Sequence, residues 1–473
     1  MNESIGKLIQ VAEREVGTRA KTPARSAALY RALLIALFAL GGSACALDRQ
    51  FTVNTTQDLH DLDPGDSICA ANAAGNPCSL RAAFEETNQT IDSLRVGITV
   101  PADVYELTLG ELALSRGRVN VLGAGQAQTV VDGLGDSRIL TIETGGVFPG
   151  DARQVIFENL TLRNGSVPNA FLGGAVYINS PNYLVTFTSV TIEDSVAGFL
   201  GGGIYATGSG VLNVINSRIQ GNSSTDMGQA CSSGGGNSGG GGIYAQGSTL
   251  NVIQSAIRDN CGSNGAGIRL VGGANHLILR STVSGNRGPN TGAGVYMFDT
   301  SGRIEDSTIA RNSVTELNPP AEGNAAGLHI IDSDLTILNS TIVENENSFD
   351  FGDNDGAGGL LVVNSSVSMR NTVLADNDVA GSVECFGPID SEGGNFFGET
   401  NDDCDIAEQA SDILDGGDPE LGDLMNNGGL TETMRPEGPL VDSAESGCEP
   451  IDQRGLSFPA PLGVACDIGA VER

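Results

Sequence analysis

Tryptophan is absent from this chain of 473 residues, and aromatic residues make up only 5% of it. The best side chain for stacking on a sugar ring is therefore missing. Fixed positive charge is scarce as well. Lys and Arg number 25 against 58 Asp and Glu, a formal net charge of −33, and no Lys occurs after Lys21. A surface this acidic repels phosphate backbones and anionic lipids, which argues against nucleic acid and membrane surfaces as partners. No stretch approaches the ~18 consecutive apolar residues of a membrane span. The cysteines show no C-x-x-C spacing and there are three His, so a structural zinc site is disfavoured.

What the chain has is glycine, 66 residues of it, and a phrase repeated about eight times between residues 157 and 377. Each copy opens on small residues and an apolar pair, as in Gly241-Gly242-Ile243-Tyr244. It closes on an alternating strand, a Ser, an apolar step and an Asn, as in Leu250–Asn260. The closing step recurs at Asn159, Ser189, Ser217, Ser255, Ser281, Ser307, Ser340 and Asn371, at spacings of 26 to 38 residues. Such self-similarity marks a solenoid whose loops vary while its strands do not. The period-2 alternation, rich in Val, Ile, Thr and Leu, excludes helical repeats. The expected fold is all-β, a single-stranded right-handed parallel β-helix forming one monomeric, elongated unit with a cap at each end. Five residues after each closing step stands Asn164, Asp194, Asn222, Asn260, Asn286, Asn312, Asn345 or Asp376. Asn and Asp tolerate the left-handed backbone of a sharp turn, and stacked amides can bond from rung to rung, so this column reads as a structural ladder.

The N-terminus points to export. Arg25 and Arg31 precede the apolar run Ala32–Leu40, and Ala44-Cys45-Ala46 fits a cleavage site, so residues 1–46 read as a signal peptide. Cys45 offers the alternative of a lipid anchor, because Gly42–Cys45 resembles a lipobox. The remaining eight cysteines fall into local pairs: Cys69 and Cys78, Cys231 and Cys261, Cys385 and Cys404, Cys448 and Cys466. Sequence alone leaves about 105 pairings open. The period does place Cys231 and Cys261 on neighbouring coils, and disulfides suit an exported protein.

Phe51–Thr56, Asp63–Asp66 and Cys78-Ser79-Leu80-Arg81-Ala82-Ala83-Phe84 resemble the CSLREA-type N-terminal segment of bacterial exported β-helix proteins. Physically, Ser79 can cap a short helix whose Leu80, Ala83 and Phe84 share a face that would plug the solenoid. Gly393–Gly398, Asp418–Gly422, Asn427–Thr431, Pro439–Asp442, Asp452–Gly455 and Cys466–Glu472 are similar to the choice-of-anchor Q domain. The resulting division is 47–100 for the N-terminal cap segment, 101–384 for the β-helix and 385–473 for the C-terminal region. The resemblance implies an exported or cell-surface protein. Gly173–Val176 and Phe157–Asn159 look like repeats of chlamydial polymorphic membrane proteins, which act as adhesins, although short motifs of this kind mostly express rung geometry.

Two features nominate binding sites. Alternation turns Tyr177, Tyr205, Tyr244 and Tyr296 outward in one column, available either to glycan faces or to one another. Asp350, Asp353, Asn354 and Asp355 form an acidic, glycine-punctuated loop of hard oxygen ligands, a candidate calcium site or a solvated turn. No set of convergent catalytic residues is evident. The expectation is a binding, adhesion or structural role, with glycans or a cell-surface partner. The alternative is a carbohydrate-active enzyme, a lyase or glycoside hydrolase working on one solenoid face.

Overall fold

The computed structural model describes residues 47–473 apart from 92–93, 144–152, 168–171, 225–230, 232–237, 316–323, 349–355, 378–382, 401–403, 446–450 and 456–464. Short strands rich in Val, Ile, Leu and Thr pair in parallel, each with its equivalent one coil away, and build three stacks. Stack 1 runs from Leu112–Leu114 to Gly356–Val363, stack 2 from Arg49–Thr52 to Ser366–Arg370, and stack 3 from Asp103–Glu106 to Phe396–Phe397. One coil reads Ile243–Gln246, Thr249–Ile253, Ala256–Arg258. In two coils, Arg153–Arg163 and Tyr183–Glu193, one long strand serves both stack 2 and stack 3. The fold is the expected right-handed parallel β-helix.

From Val176 to Leu328 the register of stack 1 is unbroken, so like residues stand on like. Val176, Ile204, Ile243, Ile268, Val295 and Leu328 form one inward column of stack 1, and all are fully buried. Phe157 and Phe187 stack in the interior with ring centroids 5.4 Å apart. Each such side chain contributes about 1.5–3 kcal/mol through burial alone, repeated coil after coil.

Sharp turns separate the stacks. Between stacks 2 and 3 the chain takes positive φ at Asn216, Gln254, Arg280, Asp306, Asn339 and Asn371, and after stack 3 at Asp259, Arg311 and Glu344. The ladder asparagines follow this second slot rather than fill it. In the ladder, Asn222, Asn260, Asn286, Asn312 and Asn345 each receive the preceding coil's amide on Oδ1 at 2.9–3.1 Å. Each Nδ2–H also donates to a backbone carbonyl of that preceding coil. Three expected members are displaced. Asn164, Asp194 and Asp376 themselves sit in the left-handed slot, at φ 57°, 52° and 53°. The ladder continues instead through Gly165 and Ser195 at one end and Asn377 at the other, where buried Glu384 accepts the last amide. Spacing counted from the closing step falls one residue short in those copies, because Ser and Asn occur in both positions.

The glycine of each opening phrase belongs to the same device. A Cβ on Gly294 would lie 2.5 Å from the Gly327 carbonyl oxygen and 3.0 Å from Asn312 Nδ2, and Gly242, Gly267 and Gly327 face Asn260, Asn286 and Asn345 in the same way. Only glycine leaves room for the ladder amide beside the next coil's backbone.

Both ends are closed. Ser79 caps the helix Leu80–Gln89 by accepting from Ala82 N–H at 3.0 Å, and Leu80 and Phe84 face the aliphatic interior. On the outer side Arg81 grips buried Asp58 through Nε and Nη2 at 2.7 and 3.0 Å. At the other end Cys385 is bridged to Cys404, whose strand pairs with Gly387–Asp390. The chain then turns back. Met434, Leu440 and Ile468 pack on Ala310, Val343, Val373, Ala375 and Phe396 of stack 3. Gln453 Nε2–H donates to Thr282 Oγ1 at 2.9 Å and its Oε1 accepts from Thr308 Oγ1 at 2.6 Å. The C-terminal segment is thus a strap along the flank of the solenoid as well as a cover for its end.

Candidate functional site

The tyrosine column forms in the expected register, but the solenoid itself occupies its faces. Tyr177 stacks on Tyr205 at 5.6 Å and Tyr205 on Tyr244 at 5.2 Å, with the rings within 8° of parallel. Arg138 covers the outer face of Tyr177 at 5.0 Å, and Arg269 lies between Tyr244 and Tyr296 at 5.5 and 5.3 Å. His329 meets Tyr296 edge-on. Leu172 and Leu200 pack over the column, leaving Tyr205 and Tyr244 only 6% and 5% exposed. Parallel strands spaced by about 4.8 Å turn the ring faces along the axis, so a sugar would find no open face on Tyr205 or Tyr244.

Several carboxylates standing on the sheets are similarly engaged. Asp132 pairs with Arg163 at 2.7 Å and Glu305 with Arg303 at 3.2 Å. Glu193 accepts from Gln220 at 2.8 Å and Glu158 from Asn120 at 3.2 Å. Asp306, 1% exposed, accepts from Arg280 at 3.2 Å and Asn339 at 3.3 Å. Burial, with the Glu305 charge beside it, pushes the Asp306 carboxyl up to about 7 despite Arg280. A carboxyl held protonated near neutrality has the chemistry of a general acid, but at this depth it cannot reach a glycosidic oxygen. His276 and His329 are driven down by burial to about 4 and about 3. His276 Nδ1 accepts from Leu250 N–H at 3.0 Å, so both are neutral core residues.

A concave polar surface lies where stack 2 ends. Arg370, Glu392, Gln409, Ala410, Ser411 and Glu445 line a cleft of about 450 Å³. Three segments supply them: the last coils, the turn after Cys404–Ala407, and the returning strap. Glu445 is pinned by its backbone, N–H to Asn371 Oδ1 at 2.8 Å, and the Ser411 hydroxyl donates to its carboxylate while accepting from Gly394 N–H at 3.1 Å. Arg370 Nε is buried and has no hydrogen-bond acceptor among the described residues.

Comparison with known proteins agrees with this architecture. Residues 174–397 match the family model described as right handed beta helix region. Among solved structures, the chain resembles pectate lyase Pel9A at 13% identity, covering 90% of this chain and 97% of that one, with a TM-score of 0.38. ORF18 of Geobacillus virus E2 matches at 12% identity over 72% of this chain and 59% of that one, TM-score 0.37, so the chain spans little more than half of its length. The catalytic domain of a GH87 alpha-1,3-glucanase in complex with nigerose matches at 11% identity over 78% and 66%, TM-score 0.29. No curated protein matches the chain in sequence.

Disulfides join Cys69 to Cys78, Cys231 to Cys261 and Cys385 to Cys404, and Cys466 is also bridged, while Cys448 lies outside the described residues. Asp350, Asp353, Asn354 and Asp355, the candidate calcium loop, lie outside them too, as does the segment read as a signal peptide. Among the described residues no group of three His, Cys, Asp or Glu side chains gathers as a metal site, and no helix is long and apolar enough to cross a membrane. Neither the cleft nor Asp306 is legible in the sequence: apart from Arg370 the cleft residues fall outside the repeated columns, and Asp306 is buried by Arg280 and Asn339 from the coils before and after its own.

Proposed function

We propose that this is an exported β-helix protein that binds glycans or scaffolds a surface without catalysing a reaction on them. Residues 1–46 serve as the export signal, and the mature chain works in an oxidising compartment where its bridges are stable. The observation that carries the reading is the engagement of the sheet carboxylates. Glycoside hydrolysis needs two carboxyl groups facing one bond with a substrate between them. Here Glu305 is tied to Arg303 and Asp306 is sealed beneath the surface. The buried asparagines go into a ladder that holds coils together, as in a scaffold. Affinity electrophoresis of the mature chain through gels containing individual polysaccharides tests the reading. Retardation by at least one polysaccharide that emerges with unchanged chain length supports it, whereas shortening of the polysaccharide overturns it.

A further inference from the structure

Arg163, Arg280 and Arg311 each hydrogen-bond a carboxylate on a neighbouring coil, and Arg303 pairs with Glu305 on its own strand. Arg370 stands at the end of the outward column Glu305, Leu338, Arg370, and among the described residues it meets no carboxylate in an ion pair and its buried Nε–H, like that of Arg303, has no hydrogen-bond acceptor. Leaving such a donor bare works against the fold. The cleft in front of it also holds Glu392, Gln409, Ser411 and Glu445. A ligand there must offer an acceptor to the guanidinium and donors to the carboxylates. An anionic ligand meets Glu392 and Glu445, and a cationic one meets Arg370. A hydroxyl both accepts and donates, and vicinal hydroxyls match the spacing of a carboxylate.

Resting on the glycan-binding reading above, we infer that this cleft is the binding subsite, and that it takes an uncharged, hydroxyl-rich sugar residue. Arg370 supplies the donor, Glu392 and Glu445 the acceptors, and Ser411 holds Glu445 in place. The cleft lies within the ~300–1,000 Å³ range of small-ligand sites.

Titration calorimetry of the mature chain with neutral gluco-, manno- and galacto-oligosaccharides, oligouronates and oligoglucosamines tests the assignment, alongside Arg370→Met and Glu392→Gln. The expected result is binding of a neutral oligosaccharide, weakened about tenfold or more in either variant by loss of a charge-assisted hydrogen bond. Because Arg370 Nε has no acceptor in the fold, the melting temperature of Arg370→Met holds or rises, which separates lost binding from lost folding. Neutral-sugar binding that survives both substitutions overturns the site while leaving the glycan-binding reading intact. Preference for oligouronates or oligoglucosamines overturns the ligand class. Absence of binding across all probes overturns both.

Discussion

Burial keeps the Asp306 carboxyl protonated up to about pH 7 in the folded chain, whereas the unfolded chain releases that proton at the ordinary value of 3.8. A raised carboxyl pKa makes the group's stabilising contribution complete at the acid end and removes it as pH rises through about 7. Asp306→Asn keeps an acceptor for Arg280, tolerates the φ of 48° and does not titrate. Thermal melts should therefore show the variant gaining on the parent between about pH 4 and 7, and a pH-independent difference between the two would contradict the assignment. The histidines act in the opposite sense. With pKa values lowered to about 4 and about 3, His276 and His329 contribute fully above 6.5 and lose that contribution as pH falls toward 4. The two shifts correspond to roughly 3–5 kcal/mol each of pH-dependent stability. His276→Asn, which keeps an acceptor for Leu250 N–H, should flatten the acid limb of the melting-temperature profile.

At the scale of the element, the asparagine ladder and its glycine column form one unit. Asn286 accepts two hydrogen bonds from Asn260 and donates to Ile257 O and Asn312 Oδ1. Asn286→Ala strands these groups in the interior, at a cost of roughly 3–5 kcal/mol. Hydrogen exchange should accelerate first at Asn260 and the coils on either side, and exchange that rises evenly along the solenoid would contradict a local ladder. Much of this unit is legible in the sequence, because alternation and spacing recur in every coil and name both the fold and the inward columns. Two physical facts hid the rest. The left-handed slot and the ladder accept overlapping residue types, so Asn164, Asp194 and Asp376 aligned one position out. Alternation also gives the side a tyrosine faces but not the plane of its ring, which the rung spacing turns onto Tyr205 and Tyr244.

At the scale of the molecule, the C-terminal strap decides which faces remain open. Gln453, 1% exposed, holds Thr282, Thr308 and Thr431 together across two coils and the strap itself. Gln453→Leu removes these bonds and leaves buried hydroxyls unpaired, so the strap should become susceptible to limited proteolysis while the coils stay protected. Simultaneous loss of both would show that strap and solenoid fold as one cooperative unit. The same strap carries Glu445 to Arg370 and so completes the cleft. That juxtaposition joins residues 370, 392, 409–411 and 445, which no period relates, and so it became visible only in the folded chain.

The central claim, binding without catalysis, is tested most directly by product analysis after prolonged incubation of the mature chain with a polysaccharide panel, with and without Ca²⁺. No new reducing ends and no unsaturated uronides are expected on any polysaccharide, including those the protein retains. Release of either product by the mature chain would overturn binding without catalysis, and its loss in Glu305→Gln or in Glu392→Gln would place the active site on stack 2 or in the cleft.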